Sequence, residues 1–122
     1  MKDFRDLEVW KEARRFRNKI FVLTKTFPTD EKYKLVDQVI RSSRSVSANI
    51  TEGYGRYHYQ DNIRFCWQAR GSLSETLDHL ICAHDSAYID EQIFKEFESD
   101  YNQVLKLLNG YIAYLKSRKD EE

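Results

Sequence analysis

The amino-acid sequence predicts an all-α protein, an antiparallel up-down-up-down four-helix bundle. Four stretches of about 20 to 28 residues carry apolar side chains at spacings of three and four, the periodicity of one helix face. The links between them are short, which makes successive helices antiparallel neighbours. One proline and four glycines in 122 residues are too few for the tight turns of an all-β fold. The length favours a single domain, with helices predicted at residues 6–26, 30–52, 61–86 and 90–117 and a charged tail at 118–122.

The first helix is predicted from a regular apolar stripe that ends at a proline. Pro28 ends the helix because its ring moves Phe27 out of the αR region. Phe21 and Val22 are also apolar but lie outside the stripe, so the core of one subunit does not account for them. The stripe itself consists of Val9, Trp10, Ala13, Phe16, Ile20, Leu23 and Phe27.

The second helix carries small and polar side chains where a helix usually has Leu or Ile. Thr29 or Asp30 is predicted to cap its start, and Gly53 to follow its end with a positive φ. Its polar stripe is Gln38, Ser42, Ser45, Asn49 and Glu52, which with Arg41 could face Arg70, Ser72 and Glu75 of the third helix. We interpret these residues as a buried structural network, because they include no nucleophile–base pair and no metal.

The last two helices each contain a readable local signal. Gly71 lies in the middle of the third helix and predicts a close approach to the second helix. Asp90 is predicted to cap the fourth helix, with Ile89 packing on Phe94. The apolar face of the fourth helix is also wider than one core stripe. We therefore predict an oligomer interface formed by Phe21, Val22, Leu107 and Tyr114.

Charge is balanced overall but divided between the two halves of the chain. Residues 1–61 contain 13 Lys and Arg against 9 Asp and Glu, whereas residues 62–122 contain 7 against 11. The two surfaces could neutralise each other within one subunit, or the basic one could bind phosphate. Tyrosines at 54, 57 and 59 add aromatic rings that can stack on unpaired bases. The predicted nucleic-acid-binding residues are Lys11, Arg14, Arg15, Arg41, Arg44 and Arg56.

Three residues of the third helix are of types that bind metals. His79 and Cys82 share a helix face, whereas His84 points elsewhere. Zinc sites usually have four ligands from two paired clusters, and only Cys66 and His58 remain to complete one. We therefore predict no metal site and no cofactor. A P-loop, a GxGxxG motif and a Ser-His-Asp arrangement are also lacking, so we predict no enzymatic activity.

Three further features predict a cytoplasmic protein that does not enter a membrane. No apolar run approaches the roughly 20 residues of a membrane span. Residues 1–15 are charged throughout and lack the apolar region of a secretory signal. Cys66 and Cys82 lie too far apart along one helix to bond to each other, so both are expected to be reduced thiols.

Four segments together resemble a known family of bacterial four-helix-bundle proteins. They are LEVW at residues 7–10, the Phe27-Pro28 pair, QVIRSSRSVSANITEGYGR at residues 38–56 and ARGSLSET at residues 69–76. The family is named for members encoded within intervening sequences of the large-subunit ribosomal RNA gene, and it includes the accessory protein of diversity-generating retroelements.

The resemblance implies an up-down bundle, assembly into a homopentameric barrel and no known enzymatic activity. In the retroelement branch, it implies binding of nucleic acid and of a reverse transcriptase through basic surface. Of the predicted binding residues, Arg41, Arg44 and Arg56 fall inside the shared motif.

Two hypotheses follow. In the first, the protein is a non-enzymatic homo-oligomer that binds RNA or DNA through its basic surface. In the second, it is a structural or protein-partner scaffold, for example for a reverse transcriptase, whose basic surface is used in the subunit interface.

Overall fold

The computed structural model describes residues 1–121, and within them the chain is all-helical. Four α-helices are present, α1 (Glu8–Thr24), α2 (Leu35–Tyr54), α3 (Tyr59–Asp85) and α4 (Glu91–Asp120). Short 3-10 turns at Phe4–Asp6 and Thr29–Glu31 precede α1 and α2. Each α-helix contacts two others, so that α1, α2, α3 and α4 form a closed ring around one core. The predicted four-helix bundle is confirmed, and its short links imply antiparallel neighbours.

The core is formed by the apolar stripes of all four helices. Its side chains include Phe16 and Ile20 of α1, Ile50 of α2, Leu73 of α3 and Leu108 of α4, each at most 1% exposed. A second, smaller cluster lies at one end of the bundle and contains Phe27, Leu35, Ala83 and Ile89. Burial of these side chains is the main favourable contribution to folding.

The predicted helix boundaries differ from the structure by one to five residues, and the largest difference is at the start of the second helix. The first helix ends at Thr24, and both Thr24 and Thr26 donate hydroxyl hydrogen bonds to carbonyl groups three residues earlier. The second helix begins at Leu35, so the predicted cap at Thr29 or Asp30 is wrong. Those two residues form a separate 3-10 turn, because the segment between Pro28 and Leu35 is mainly charged and its one aromatic side chain, Tyr33, is 84% exposed.

Both glycine predictions were wrong. Gly53 lies inside α2 with a negative φ, and a Cβ there would lie 2.6 Å from Asn62 Oδ1. This glycine therefore permits a close approach of α2 and α3 instead of ending the helix. Gly71 is exposed, and no atom of another helix lies within 4 Å of the position of its missing Cβ.

The small polar residues of α2 do bind α3 closely. Ser42 Oγ lies 2.8 Å from Thr76 Oγ1, and Ser45 Oγ lies 2.9 Å from Ser72 Oγ. Asn49 donates to the backbone and side chain of Ser45. The charged members of the predicted network point elsewhere, since Arg70 bonds to Asn109, Arg41 pairs with Asp37, Glu52 with Arg56 and Glu75 with His79.

The start of α4 agrees with its local signal. The Asp90 side chain accepts a hydrogen bond from the Ile93 backbone N–H at 2.8 Å, and Ile89 is buried beside Phe94. The helix continues to Asp120, so most of the predicted charged tail is helical, while its last residue, 122, lies outside the described range. Among residues 1–121, no helix has the length and apolar character to cross a membrane.

Candidate nucleic-acid interface

The predicted basic residues divide into two groups according to whether a carboxylate of the same chain neutralises them. Lys11 pairs with Glu8, Arg41 with Asp37 and Arg56 with Glu52, each one helical turn away. Such exposed pairs are weak and leave most of the charge available to solvent.

Arg15 belongs to a stronger arrangement between α1 and α4. Its Nη2 lies 2.7 Å from Asp100 Oδ1, and its Nε lies 3.2 Å from Glu12. Lys19 Nζ lies 2.6 Å from the other Asp100 oxygen and 3.2 Å from Glu96. The basic side of α1 is thus partly neutralised by the acidic half of the chain.

Arg14 of α1 and Arg44 of α2 lie on the side of α1 that faces α2, where Arg44 lines a groove and Arg14 lies over Trp10 at its edge. The structure adds Arg17 to them, and we call these three residues the arginine cluster. Among residues 1–121, no carboxylate forms an ion pair with any of the three. The cluster is therefore a local excess of positive charge in a chain whose net charge is zero.

Aromatic rings and one hydroxyl hold the arginine cluster in place. The guanidinium carbons of Arg14 and Arg17 lie 5.6 and 5.9 Å from the centre of the Trp10 ring. Arg44 lies 5.5 Å from the ring of Phe21. Arg17 Nη1 donates a 2.5 Å hydrogen bond to Ser47 Oγ of α2. The groove encloses about 630 Å³ and is lined by Phe4, Trp10, Arg17, Asn18, Arg44, Ser47, Ala48 and Thr51.

Arg17 is the partly buried member of the cluster, whereas Arg14 and Arg44 are exposed. Burial lowers its pKa, and the positive charges of Arg14 and Arg44 lower it further. Like charges therefore repel one another in this groove without a neighbouring anion from the described part of the chain. Phosphate oxygens are well suited to this position because a guanidinium group can donate two parallel hydrogen bonds to them.

Sequence reasoning did not select Arg17, although it lies in the same basic run as Arg14 and Arg15. Helical spacing could have identified it, since Arg14 and Arg17 are three apart and share a face, whereas Arg15 is turned away from them. The position of Arg44 beside them required knowledge of how α1 packs on α2.

The four predicted interface residues lie in different surroundings. Val22 is 63% exposed and lines an apolar groove of about 630 Å³ between α1 and α4, with Leu23, Ile93 and Phe97. Phe21 is partly covered by Lys25 and Arg44. Leu107 packs on the core, and Tyr114 lies near the α2–α3 link.

The possible metal ligands on α3 do not come together. His79 Nε2 lies 3.5 Å from Glu75, whereas His84 lies 3.0 Å from Glu91 and stacks on Phe94. Cys82 is exposed. Within residues 1–121, no group of three or more His, Cys, Asp and Glu side chains is arranged to bind a metal ion.

The predicted tyrosines gather at the opposite end of α2 from Leu35. Tyr54, Tyr57 and Tyr59 line one pocket together with Tyr111 and Tyr114 of α4. The sequence indicated the first three, whereas Tyr111 and Tyr114 lie about 50 residues further along the chain and only the fold brings them here.

Comparison with known proteins places the chain in a family. Residues 5–110 match the family model described as 23S rRNA-intervening sequence protein. The fold is similar, with a TM-score of 0.80 and 25% identity, to a crystal structure of a protein with unknown function from the S23 ribosomal protein family of Bacteroides thetaiotaomicron VPI-5482. That match covers 86% of this chain and 95% of the other. No curated protein matches the sequence. Because the family model covers most of the chain, the protein belongs to the 23S rRNA-intervening sequence protein family.

Proposed function

We propose that this protein is a non-enzymatic binding protein that binds nucleic acid through the arginine cluster. One observation carries the proposal: Arg17 and Arg44 line one groove, Arg14 lies over the Trp10 ring that also lines it, and none of the three forms an ion pair with the described residues of their own chain. A backbone phosphate in the groove would relieve the repulsion among these three cations. Binding would also release the counterions that otherwise accompany them, so affinity should depend strongly on salt.

The rest of the predicted basic surface has a secondary role in this proposal. Lys11 and Arg41 are exposed and flank the cluster in sequence, so they can add long-range attraction for a polyanion. Arg15 cannot contribute equally, because Asp100 and Glu12 already occupy its guanidinium group. Phosphate contacts of this kind position a nucleic acid without reading its sequence.

We also propose that the protein is a homo-oligomer. Val22 is largely exposed, and it borders an apolar groove with Ile93, which is also exposed. Monomeric proteins rarely leave a contiguous apolar surface of this kind uncovered. The family resemblance suggests a pentamer, and a ring of identical subunits would cover one such groove per subunit.

Fluorescence anisotropy with short RNA and DNA strands tests the nucleic-acid proposal. The wild type should bind at low salt, and the double variant Arg14→Ala/Arg44→Ala should bind more weakly. The slope of log affinity against log salt concentration should be shallower in the variant, by the amount expected for the loss of about two phosphate contacts. Arg64→Ala is the matched control, since Arg64 is an exposed arginine on α3. Absence of binding by the wild type at low salt would falsify the proposal.

The competing function is a protein-partner scaffold that does not contact nucleic acid. The α1–α4 groove favours it, because an apolar surface suits a protein partner better than a polyanion. Light scattering of the same double variant separates the two functions. If Arg14→Ala/Arg44→Ala dissociates the oligomer, the arginine cluster belongs to a protein interface. If the oligomer persists while nucleic-acid binding falls, the first function stands.

A further inference from the structure

A second pocket, of about 430 Å³, lies where the α2–α3 link meets the C-terminal part of α4. Five tyrosines line it, and we call it the tyrosine pocket. Its volume is in the range of pockets that hold small organic ligands. The tyrosine pocket is separate from the arginine cluster. The two sites differ in chemistry, because aromatic rings dominate the lining of the tyrosine pocket. The lining residues are Met1, Leu7, Tyr54, Arg56, Tyr57, His58, Tyr59, Asn62, Tyr111, Tyr114 and Leu115.

The inner wall of the tyrosine pocket is held rigidly by a buried amide. Asn62 is 7% exposed, and its Nδ2 donates a 3.1 Å hydrogen bond to Tyr111 Oη. Its Oδ1 accepts from the thiol of Cys66 at 3.6 Å. The missing side chain of Gly53 provides the space that Asn62 occupies, since a Cβ there would clash with Oδ1. Gly53 thus leaves room for Asn62, and Asn62 in turn positions the Tyr111 ring of this pocket.

Tyr111 is a hydrogen-bond donor as well as a ring. Its oxygen accepts the bond from Asn62, so its own proton remains to be donated. A phenol is protonated at neutral pH, and burial raises the pKa of Tyr111 further above that range. The ring of Tyr114 is nearly parallel to that of Tyr111, with an interplanar angle of 14° and centroids 6.4 Å apart.

The outer wall is open to solvent. Tyr57 is 93% exposed and Tyr114 is 55% exposed, although large aromatic side chains contribute most stability when buried. Three cations lie near the opening: Arg56, which lines it and pairs with Glu52; Arg118, close to the Tyr59 hydroxyl and paired with Glu121; and Lys119, bonded to Gln60. Among residues 1–121, Lys119 forms no ion pair, and its charge favours a ring that carries a phosphate over a positively charged ligand.

We propose that the tyrosine pocket receives one unpaired nucleobase of a strand whose backbone lies on the arginine cluster. This inference rests on the proposed function. Every base has a face that stacks on an aromatic ring, so such a pocket tolerates any sequence. A base inside a duplex cannot enter the pocket, which makes the protein selective for single strands and loops.

The separation of the two sites along the axis of α2 suits this arrangement. Arg44 and Tyr54 lie on the same helix, ten residues apart, which corresponds to about 15 Å along its axis. That span is a few nucleotides of an extended strand. A strand held at Arg44 can therefore place a nearby base in the tyrosine pocket without a change in the bundle.

The experiment measures the affinity of the double variant Tyr57→Ala/Tyr114→Ala for three probes by fluorescence anisotropy at low salt. The probes are a short oligoadenylate, an abasic strand with the same number of phosphates, and a duplex. Tyr33→Ala is the matched control, because Tyr33 is 84% exposed and lies outside both sites. Competition with free adenosine monophosphate distinguishes a base within a strand from a free nucleotide.

The double variant should bind the oligoadenylate about tenfold more weakly, with unchanged affinity for the abasic strand and the duplex. The Tyr33→Ala variant should bind all three probes like the wild type. Equal loss for both single strands, a changed oligomeric state, or unchanged binding of the oligoadenylate would each overturn the inference. If the wild type binds the abasic and adenylate strands equally, only the base pocket fails. If it binds neither, the proposed function fails as well.

Discussion

Arg14 and Arg15 are adjacent in the chain, yet they lie in opposite electrostatic surroundings. On the α1–α4 side, Arg15 and Lys19 share Asp100, which is held at 2.7 Å by the first and 2.6 Å by the second. On the α1–α2 side, Arg14 and its neighbours Arg17 and Arg44 form no ion pair with the described residues. One side of α1 is thus neutralised and the other is left positive.

This difference shows why net charge is a poor guide to a binding surface. The chain carries equal numbers of acidic and basic side chains. The acids that reach α1 from another helix are Glu96 and Asp100 of α4, and they pair with Arg15 and Lys19 on the side of α1 that faces α4. The α2 side faces a helix rich in serine, which supplies hydroxyl groups but few carboxylates. Positive charge accumulates there although the molecule is neutral.

The largest expected effect is the stabilisation of the folded protein by an oligonucleotide that binds on the α1–α2 side. A single-stranded oligonucleotide at a hundredfold excess over its Kd should stabilise the wild type by about 2.7 kcal/mol, seen as a higher Tm. Arg14→Ala/Arg44→Ala should lose most of this shift. Lys19→Ala alters the α1–α4 side and should retain it. An equal loss in both variants would mean that the two sides do not differ as described.

The next effect is a loss of stability on the α1–α4 side. Asp100→Lys places a third cation beside Arg15 and Lys19, so we expect the free energy of unfolding to fall by about 2 kcal/mol in urea titrations. The loss is smaller than for a fully buried pair because Arg15 is exposed to solvent. Asp78→Lys is the control, since Asp78 is an exposed acid that forms no ion pair among the described residues, and it should change stability by under about 0.5 kcal/mol. Equal effects would contradict the role given to Asp100.

A smaller change in the free energy of unfolding should have opposite signs for substitutions at Arg14 and Arg15. Arg14→Gln removes repulsion within the arginine cluster and should stabilise the protein by about 0.3 kcal/mol at low salt. Arg15→Gln removes pairs with Asp100 and Glu12 and should destabilise it by about 0.5 kcal/mol. Both differences should shrink as salt is added. Two changes of the same sign would show that the two arginines are not in different surroundings.

The smallest expected effect is a loss of the stability contributed by Lys19 at alkaline pH. Burial alone would lower the pKa of Lys19, but hydrogen bonds to Asp100 and Glu96 more than offset it, and the pKa is raised. A raised folded pKa gives stability that is fully present below the unfolded value of about 10.4 and lost as the pH rises through the folded value.

The free energy difference between the wild type and Lys19→Met should therefore be constant near neutral pH and decrease above about pH 10.5. Chemical denaturation at a series of pH values measures it. Lys25→Met serves as the control, because Lys25 lies over Phe21 and not beside Asp100. A difference that already decreased near pH 8 would contradict the assignment.

Much of the fold could be predicted from local pattern. The apolar stripes of the helices identified the buried faces, including Phe16, Ile20 and Leu108, because periodicity depends only on helix geometry. The Asp90 cap was equally readable. The start of α2 was not, since Thr29 and Asp30 satisfy a capping pattern that the segment does not use. Propensity at a helix end is weak enough for tertiary packing to override it.

The candidate sites also divide into features that the local sequence predicts and features that depend on the packing of the helices. The amino-acid sequence by itself determined that four amphipathic helices would pack together and that α1 would be basic, because these properties depend on side-chain spacing and charge. Only the tertiary structure decided which arginines are neutralised, where Gly53 lies relative to Asn62, and that Tyr111 and Tyr114 lie beside Tyr54. Those facts depend on which helix face meets which, and that choice is made by the packing of all four helices at once.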